Sequence, residues 1–298
     1  MMTRSFREST SDLHDGRPVI LTIAGFDPSG GAGIIADIKT FLAFGCAPTA
    51  AITSLTFQNR HAVRGVIHQT AESLHSQILP VIEAFKVAAL KTGMLPTREI
   101  VLEVARLIHK ENLPAPVVDP VMRSSSGYEL MSDDGAEALL SELMPLLRVI
   151  TPNIPEAEAL TGLSITNESE MHAAAGNLRQ MGARAVLLKG GHLNQGSGVR
   201  GQGSEQRSEI RSQRSGGVIG PIVGKGSDKA IDILDDEGRV TVFRGEWIDE
   251  PPVRGTGCML SSAISACLGK GMSLEEAVGK AKGFVAEVIR SAQPETQN

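Results

Sequence analysis

Short runs of β-branched and aliphatic residues alternate with helical segments along most of this chain, and this alternation constrains its fold more than any other feature. The helical segments carry apolar residues at helical spacing, as in Ile34, Ile38 and Phe41 of the stretch 30–45. Predicted strands cover 18–25, 47–55, 63–69, 87–93, 116–122, 148–153 and 185–191, and further helices cover 71–85, 97–110, 133–147 and 168–181. Strands and helices in this order build βαβ units. The sequence therefore predicts an α/β fold with a mostly parallel sheet, covered by helices on both faces.

Two helix starts carry polar capping patterns. Asn167 precedes a helix with Glu170 three residues on, and Ser273 stands in the same relation to Glu276 at the start of the last helix. A small polar residue followed three residues later by Glu satisfies free amide groups at a helix N-terminus. No repeat or second boundary interrupts the pattern, so we expect one domain over residues 18–293.

Two segments fall outside this pattern. Residues 1–17 form a polar N-terminal tail without the apolar core of a signal peptide. Residues 195–228 form an insertion rich in Gly, Ser, Gln and Arg, followed by a predicted hairpin at 230–245. Such a composition buries too little apolar surface to offset the entropy of ordering. We predict that the tail and the insertion are flexible, and that deleting 196–217 leaves any activity nearly intact.

Composition excludes several classes of function. The net charge of −5 supplies no basic excess for a nucleic acid or a membrane surface, and aromatic residues make up only 3% of the chain. No apolar run approaches the roughly 20 residues of a membrane span. The three cysteines, Cys46, Cys258 and Cys267, are too few for a disulfide framework and lack zinc-site spacing. We therefore predict reduced thiols in a cytoplasmic protein that binds neither nucleic acid nor membrane.

The most specific local motif is the loop "VRGTGCML", in which Gly255, Thr256 and Gly257 lead into a predicted helix at Cys258. Convergent backbone amides and the positive end of a helix dipole form a site for an anion such as phosphate. The same environment favours thiolate, so we expect the pKa of Cys258 to be lowered. The alternative for this residue is a buried structural cysteine, which suits Cys46 and Cys267 better.

Charged residues follow three of the predicted strands. Asp119 ends "PVVD", Glu156 follows the strand at 148–153, and Lys189 ends "VLLK". Ligands of open parallel sheets bind beyond the carboxyl ends of the strands. Carboxylate oxygens there suit Mg²⁺, and a lysine there can contact a phosphate. Each residue alone is compatible with an ordinary surface position, but together they indicate phosphoryl transfer.

A glycine-rich segment, "AGFDPSGGAG" at 24–33, also follows a strand and opens a helix. It matches neither the P-loop nor the dinucleotide-binding pattern, so by itself it predicts only a tight turn. Asp37, one turn into the helix, lies between apolar residues. A carboxylate in such a position either faces solvent or binds a polar group.

Taken in order, these segments resemble the ribokinase superfamily, and within it the hydroxymethylpyrimidine/phosphomethylpyrimidine kinases of thiamine biosynthesis. The resemblance covers residues 18–290 apart from the insertion. It is carried by "LTIAGFDPSGGAGIIADIKT" (21–40), "AITSLTFQN" (51–59), "LKTGML" (90–95), "DPVM" (119–122), "ITPNIPEAEALTG" (150–162), "VLLKGGH" (186–192) and "GTGCMLSSAI" (255–264). Each segment is weak evidence alone, whereas the ordered series is highly specific.

The resemblance implies a three-layer α/β/α domain that phosphorylates hydroxymethylpyrimidine with ATP, first to the monophosphate and then to the diphosphate. It implies ATP and Mg²⁺ as cofactors and a homodimer as the assembly. Gly255, Thr256 and Gly257 would bind the transferred phosphate and Cys258 would be the catalytic base. The acceptor would contact Gly25, Asp37, Gln58, Met94 and Val121; the nucleotide would contact Asn153, Glu156 and Lys189; Mg²⁺ would be held by Asp119 and Glu156, mostly through water.

Four positions depart from the commonest pattern of that family. Phe26 replaces Ser or Thr, Thr92 replaces Ile, Ser125 replaces Lys or Thr, and Arg254 replaces the His before the phosphate loop. Arg254 either helps to hold phosphate or faces solvent, which is the simpler interpretation. Pyridoxal kinase, which shares the scaffold, is the nearest alternative function. A ligand-binding homologue without activity, and a thiol-redox role for Cys258, are the alternatives from other classes.

Overall fold

A computed structural model describes residues 16–59, 62–124, 126–191, 229–246 and 254–291. In these residues nine strands form one sheet in the order β3-β2-β1-β4-β5-β6-β7-β8-β9. The strands are β1 (Val19–Phe26), β2 (Ala47–Gln58), β3 (Val63–His68), β4 (Val87–Thr92), β5 (Val117–Val118), β6 (Val149–Ile150), β7 (Ala185–Lys189), β8 (Lys229–Asp236) and β9 (Arg239–Glu246).

Parallel pairing holds the centre of the sheet together. Strands β2, β1, β4, β5, β6 and β7 pair in parallel, whereas β3 at one edge and β8 and β9 at the other pair antiparallel. The predicted mostly parallel sheet is therefore confirmed. The carboxyl ends of six neighbouring strands meet along one rim, which is where such sheets bind ligands.

Eight α-helices accompany the sheet in the described residues. They are α1 (Gly33–Ala43), α2 (Ala71–Ala84), α3 (Arg98–Lys110), α4 (Asp133–Ala138), α5 (Ile154–Thr161), α6 (Glu168–Gln180), α7 (Thr256–Gly269) and α8 (Leu274–Ser291). The predicted capping patterns are confirmed: Asn167 Oδ1 accepts from the Glu170 amide at 3.0 Å, and the Glu276 carboxylate accepts from the Ser273 amide at 3.0 Å.

Alternation along the strands divides the core into two layers. In β7, Val186 and Leu188 pack with the helices α2 to α6 on one face. Ala185 and Leu187, the residues between them in sequence, pack with α7 and α8 on the other. Successive side chains of a strand point to opposite faces, so a strand buried on both sides is apolar throughout. The three-layer α/β/α arrangement is confirmed.

Several predicted boundaries differ from the structure. The expected helix 133–147 is α-helical only to Ala138 and continues as a π-helical turn and then a 3₁₀ turn that contains Pro145. A proline has no amide hydrogen for the α-helical bond, which explains the change of helix type. Strands β5 and β6 are only two residues long, and helix α5 was not predicted at all.

The predictions for the tail at 1–17 and the insertion at 195–228 lie almost wholly outside the described residues. Within the described part of the chain, no helix combines the length and apolarity that a membrane crossing requires.

Candidate active site

A cavity opens at the carboxyl rim of the parallel strands. Six strand ends of the sheet contribute to its wall: the ends of β1, β2, β4 and β7, and the residues that follow β5 and β6. The first turn of α7 closes it from the opposite layer. Eleven of the predicted site residues line it, namely Gly25, Gln58, Met94, Asp119, Val121, Asn153, Glu156, Lys189, Gly255, Gly257 and Cys258. The fold thus brings together residues that lie up to 233 positions apart in sequence, counted from Gly25 to Cys258.

Two glycine segments pack backbone to backbone beside this cavity. Gly255 precedes α7 with φ of 77°, and a Cβ atom there would lie 2.0 Å from the carbonyl oxygen of Gly31. Gly33 has φ of 56°, and a Cβ atom there would lie 2.2 Å from the Gly25 carbonyl oxygen. Both positions need a residue that adopts positive φ and leaves room for a neighbouring backbone. The segment 24–33 therefore shapes the loop before α7.

The N-terminus of α7 presents free backbone donors. Gly255 provides no side-chain cap, and the first helical hydrogen bond runs from the Met259 amide to the Gly255 carbonyl at 2.8 Å. The amides of Thr256, Gly257 and Cys258 precede that bond, so they belong to the first turn, whose amides have no helical partner. With the dipole of a 14-residue helix behind them, they suit the anion that the loop sequence predicts at this position.

Burial changes the expected chemistry of Cys258. The residue is half-buried and its side chain borders the cavity, yet protein surrounds the thiol closely enough that desolvation raises its pKa to about 12. Lys91 and the backbone amide of Gly33 act in the opposite direction, while Asp119 and Asp37 raise the pKa further. The prediction of a lowered pKa is therefore wrong for the ligand-free protein, because desolvation outweighs the helix terminus.

A charged cluster lies on the side of the cavity next to Gly257. Lys189 Nζ lies 3.3 Å from Asp119 Oδ1, and a Cβ atom on Gly257 would lie 3.4 Å from that same Nζ. Burial opposes the charge on Lys189, but Asp119 and Glu156 outweigh it and raise the pKa of the lysine. The Lys189 ammonium therefore lies next to Gly257, in the loop that carries the free amides.

Glu156 has an unusual environment for a carboxylate. It completes a capping box with Asn153 at the start of α5, with both hydrogen bonds at 2.8 Å. Burial raises its pKa to about 7, and the charge of Asp119 adds to this effect while Lys189 opposes it. Asp119 and Glu156 both interact with Lys189, and their oxygens at the rim would favour a divalent cation.

The donor set suits a hydrated Mg²⁺ rather than a cage of protein ligands. No group of three or more His, Cys, Asp or Glu side chains in the described ranges is arranged to hold a metal ion. Asp119 and Glu156 supply hard oxygens at the rim, and Mg²⁺ commonly keeps several waters and binds through one or two carboxylates and substrate phosphates. These two residues therefore fit the predicted ion.

The predicted acceptor residues that line the cavity combine glycine and apolar side chains with the amide of Gln58. Met94 is 6% exposed, and its backbone carbonyl accepts from the Thr53 hydroxyl at 2.7 Å. A Cβ atom on Gly25 would lie 2.9 Å from the Met94 sulfur, so the glycine leaves room for that side chain. Gln58 and Val121 border the same space.

Asp37 was predicted to contact the substrate that accepts the phosphoryl group, but the structure places it outside the cavity. It does not line the cavity and is fully buried, with its carboxylate bound to Lys91 at 2.9 Å and to the hydroxyls of Thr22 and Ser262 at 2.6 and 2.7 Å. The structure thus places Asp37 behind the cavity wall rather than at it, because the lysine and the hydroxyls occupy its oxygens.

Three residues of the site were not assigned from the sequence. Lys91 is the ion-pair partner of Asp37, and a lone lysine inside the apolar strand "VAALKTG" was a signal for it. Asp27 borders the cavity at 2% exposure and accepts from the Ser29 amide and hydroxyl at 2.8 and 2.7 Å. Arg254 does not simply face solvent: it borders the cavity and donates to the Asn59 carbonyl at 2.6 Å.

A second groove meets the cavity at α7. Lys189 and Gly257 border both, and the groove, which Thr256 also lines, continues along β8 and α8 past Asp232 and Lys282. Two ligands can therefore approach the amides of one helix N-terminus from opposite sides, with a thiol on one side and a lysine on the other. A cavity and a groove that meet at such a helix N-terminus, in a three-layer α/β/α domain, define a small-molecule kinase with a ribokinase-like fold.

Comparison with known proteins identifies the family. Residues 27–298 match the model of the phosphomethylpyrimidine kinase family. A protein of Aquifex aeolicus named hydroxymethylpyrimidine/phosphomethylpyrimidine kinase is 36% identical over 275 residues, which is 92% of this chain and 95% of that protein. The chain therefore belongs to the phosphomethylpyrimidine kinase family.

Solved structures agree with this assignment. The crystal structure of phosphomethylpyrimidine kinase from Clostridium difficile 630 is similar with a TM-score of 0.72 and 36% identity, over 92% of this chain and 100% of that one. An ADP complex of Bacillus subtilis pyridoxal kinase is similar with a TM-score of 0.75 and 32% identity, over 94% and 95% of the two chains. The ribokinase-like fold is confirmed, and both predicted kinase functions occur among the similar structures.

Proposed function

We propose that this chain transfers the terminal phosphoryl group of ATP to 4-amino-5-hydroxymethyl-2-methylpyrimidine and then to the resulting monophosphate, which yields the diphosphate used in thiamine diphosphate biosynthesis. Several relatives that match over nine-tenths of the chain are named hydroxymethylpyrimidine/phosphomethylpyrimidine kinase. The observation that carries the proposal is the N-terminus of α7, whose free amides lie where the cavity and the second groove meet.

The cavity takes the pyrimidine in this proposal. The flat ring lies between Met94 and Val121, and Gln58 offers an amide donor and an acceptor to the aminopyrimidine edge. Gly25 leaves the space beside Met94 open. An apolar slot with one directional amide is the usual composition of a small-molecule site.

The second groove takes ATP, with its phosphates directed towards Gly257. Lys189 and the N-terminus of α5, at Asn153 and Glu156, contact the phosphates from the sheet rim. Asp119 and Glu156 would hold Mg²⁺, and the ion would supply positive charge that neutralises the phosphates.

Cys258 accepts the proton of the substrate hydroxymethyl group in the first reaction. The substrate oxygen bonds to the γ-phosphorus, the bond from that phosphorus to the β–γ bridging oxygen breaks, and ADP leaves with the electron pair. The amides of 256–258 stabilise charge on the moving phosphoryl group, and stabilisation of this kind often contributes most to the rate enhancement of an enzyme. In the second reaction the nucleophile is already an anionic phosphate oxygen, so a base matters less.

We infer a cytoplasmic homodimer from two further observations. All three cysteines are free thiols, which suits a reducing compartment. On the β2–β3 hairpin, Leu55, Phe57 and Ile67 are 37%, 52% and 52% exposed, and a second copy of the chain would cover them. Light scattering coupled to gel filtration measures the assembly, and a monomer at micromolar concentration contradicts the homodimer.

Parallel turnover assays test the substrate. With MgATP, kcat/KM for hydroxymethylpyrimidine is expected to exceed that for pyridoxal, because Gln58 and the narrow slot at Met94 suit an aminopyrimidine. Equal or higher kcat/KM for pyridoxal would show that the chain is a pyridoxal kinase on the same scaffold. Ligand binding without transfer to either acceptor would show that the activity has been lost.

A further inference from the structure

A buried ion pair lies directly beneath the cavity. Lys91 of β4 and Asp37 of α1 are both 0% exposed, and the lysine Nζ lies 3.0 and 2.9 Å from the two carboxylate oxygens. The hydroxyls of Thr22 and Ser262 donate to the same carboxylate at 2.6 and 2.7 Å. Side chains from β1, β4 and α7 thus bind to the one carboxylate of Asp37.

Stability alone does not account for such a pair. Moving both charges out of water costs several kcal/mol per ion, and an apolar pair of similar volume is often as stable or more stable. Every hydrogen bond that the Lys91 ammonium makes within the described residues goes to Asp37. The carboxylate therefore fixes the position of a positive charge that also borders the cavity.

The pair lies under the turn of α7 that carries the thiol. Ser262 follows Cys258 by four residues, so the two side chains lie on the same face of the helix. Because Ser262 donates to Asp37, the carboxylate holds both the lysine and the helical turn below the sulfur. Lys91 and Cys258 border the same cavity from two different layers.

We propose that Lys91 is a positioning residue for the base Cys258: its ammonium, fixed by Asp37, is the charge that stabilises the thiolate. This inference rests on the proposed function for its catalytic consequence, but the interaction itself exists without substrate. The thiol first loses its proton to water, the thiolate then takes the proton of the substrate hydroxyl, and the sulfur returns to the neutral form.

The charges around Cys258 come from four elements. Lys91 of β4 has the largest lowering effect on the pKa of the thiol, and the Gly33 amide of α1 lowers it as well. Asp119 after β5 and Asp37 of α1 raise it. Lys189 of β7 also interacts with the sulfur. Removal of Lys91 leaves the two carboxylates and Lys189 around the sulfur, so the thiolate is disfavoured.

The test compares Lys91→Met with the double variant Lys91→Met/Asp37→Asn. The single variant leaves a buried carboxylate without its lysine and is prone to unfold, whereas the double variant keeps the pocket neutral and Asn retains hydrogen bonds to the two hydroxyls. Ser265→Ala is the matched control, since Ser265 is equally buried on α7 but, among the described residues, bonds only to the Ser261 carbonyl.

The first readout is the rate of alkylation of Cys258 by iodoacetamide at pH 8.5, measured by mass spectrometry of the peptide without substrate. Each pKa unit lowers the thiolate fraction tenfold, so we expect a decrease of at least about fivefold in Lys91→Met and at least about twofold in the double variant. The decrease is expected to be smaller in the double variant because it also removes the charge of Asp37, which raises the pKa of Cys258. Ser265→Ala should react like the wild type.

The second readout is the ratio of the two phosphorylation rates in the folded variants. Loss of the base should lower formation of the monophosphate at least about tenfold relative to formation of the diphosphate. A double variant that alkylates as fast as the wild type overturns the proposal. Slower alkylation with no transfer in the wild type to either acceptor would instead overturn the proposed function and leave the ion pair as described.

Discussion

At the scale of single residues, burial decides the chemistry of this site more than the local motif does. The helix terminus at Cys258 favours thiolate, but protein surrounds the sulfur and its pKa rises to about 12. The same cause raises the pKa of Glu156 to about 7. The sequence reveals which groups can ionise, whereas the cost of charging them depends on neighbours that arrive from distant strands.

Glu156→Gln tests this electrostatic description. The folded protein raises the pKa of Glu156 above its ordinary value of 4.5, so it favours the protonated form. The wild type therefore loses stability as pH rises from about 4.5 to about 7, and the loss is constant above that range. We expect Glu156→Gln to melt at a higher temperature than the wild type at pH 8, with an advantage that shrinks as pH falls towards 5.

The control for that experiment is Glu99→Gln, a surface carboxylate in the first turn of α3. It reports the general effect of removing one negative charge. An advantage of Glu156→Gln that is the same at pH 5 and pH 8 would show that burial does not govern this carboxyl. Phosphoryl transfer in Glu156→Gln should fall, because a carboxylate that would hold Mg²⁺ in the proposed mechanism loses its charge.

At the scale of elements, the contact between the loop before α7 and the segment 24–33 sets the position of the anion site. This contact was not visible in the sequence, because it joins residues more than 220 positions apart, as in Gly31 and Gly255. The sequence did indicate that both segments are glycine-rich turns before helices. What it could not show is that Gly255 also leaves room for the Gly31 carbonyl of the other segment.

Gly255→Ala tests this contact. A Cβ atom there would lie 2.0 Å from the Gly31 carbonyl oxygen, so the loop must move and its amides must move with it. We expect Gly255→Ala to lower the unfolding temperature and to reduce kcat at least about tenfold, because the donors for the moving phosphoryl group are displaced.

The control is Gly271→Ala, since Gly271 has a similar φ of 82° with nothing within 4 Å of a Cβ atom. It should cost about 1 kcal/mol from backbone strain alone, which is less than the cost at Gly255. Equal unfolding temperatures and near wild-type kcat in both variants would contradict a close backbone contact at Gly255.

Strand β4 carries a second element-scale prediction. Thr92 is 0% exposed, and its hydroxyl has no hydrogen-bond partner among the described residues. Valine has the same shape without the polar atom, so Thr92→Val should raise the free energy of unfolding by about 1 kcal/mol in urea titrations.

Thr53→Val is the control for Thr92→Val, because the Thr53 hydroxyl has a hydrogen-bond partner. The Thr53 hydroxyl donates to the Met94 carbonyl at 2.7 Å, so its loss should lower the free energy of unfolding by about 1 kcal/mol. A destabilised Thr92→Val would mean that its hydroxyl has a partner after all.

At the scale of the whole molecule, the sequence predicts the architecture well and the interactions within the site less well. Apolar periodicity follows from burial on two faces of the sheet, so seven predicted strands and most helices appear within a few residues. Helix α5 was missed because it is short, with only Ala157 and Leu160 buried. Asp37 was assigned to the ligand because nothing in the sequence shows that Lys91, 54 positions away, takes its oxygens.

The most direct test of the proposed mechanism is a mass-resolved time course of hydroxymethylpyrimidine with MgATP for the wild type and Cys258→Ala. The wild type is expected to form the monophosphate and then the diphosphate. Cys258→Ala should form the monophosphate about 100-fold to 10,000-fold more slowly, the range for loss of a general base, and convert added monophosphate with a much smaller loss. Equal losses in the two steps would contradict the base role of Cys258, and a wild type that makes neither product would contradict the kinase itself.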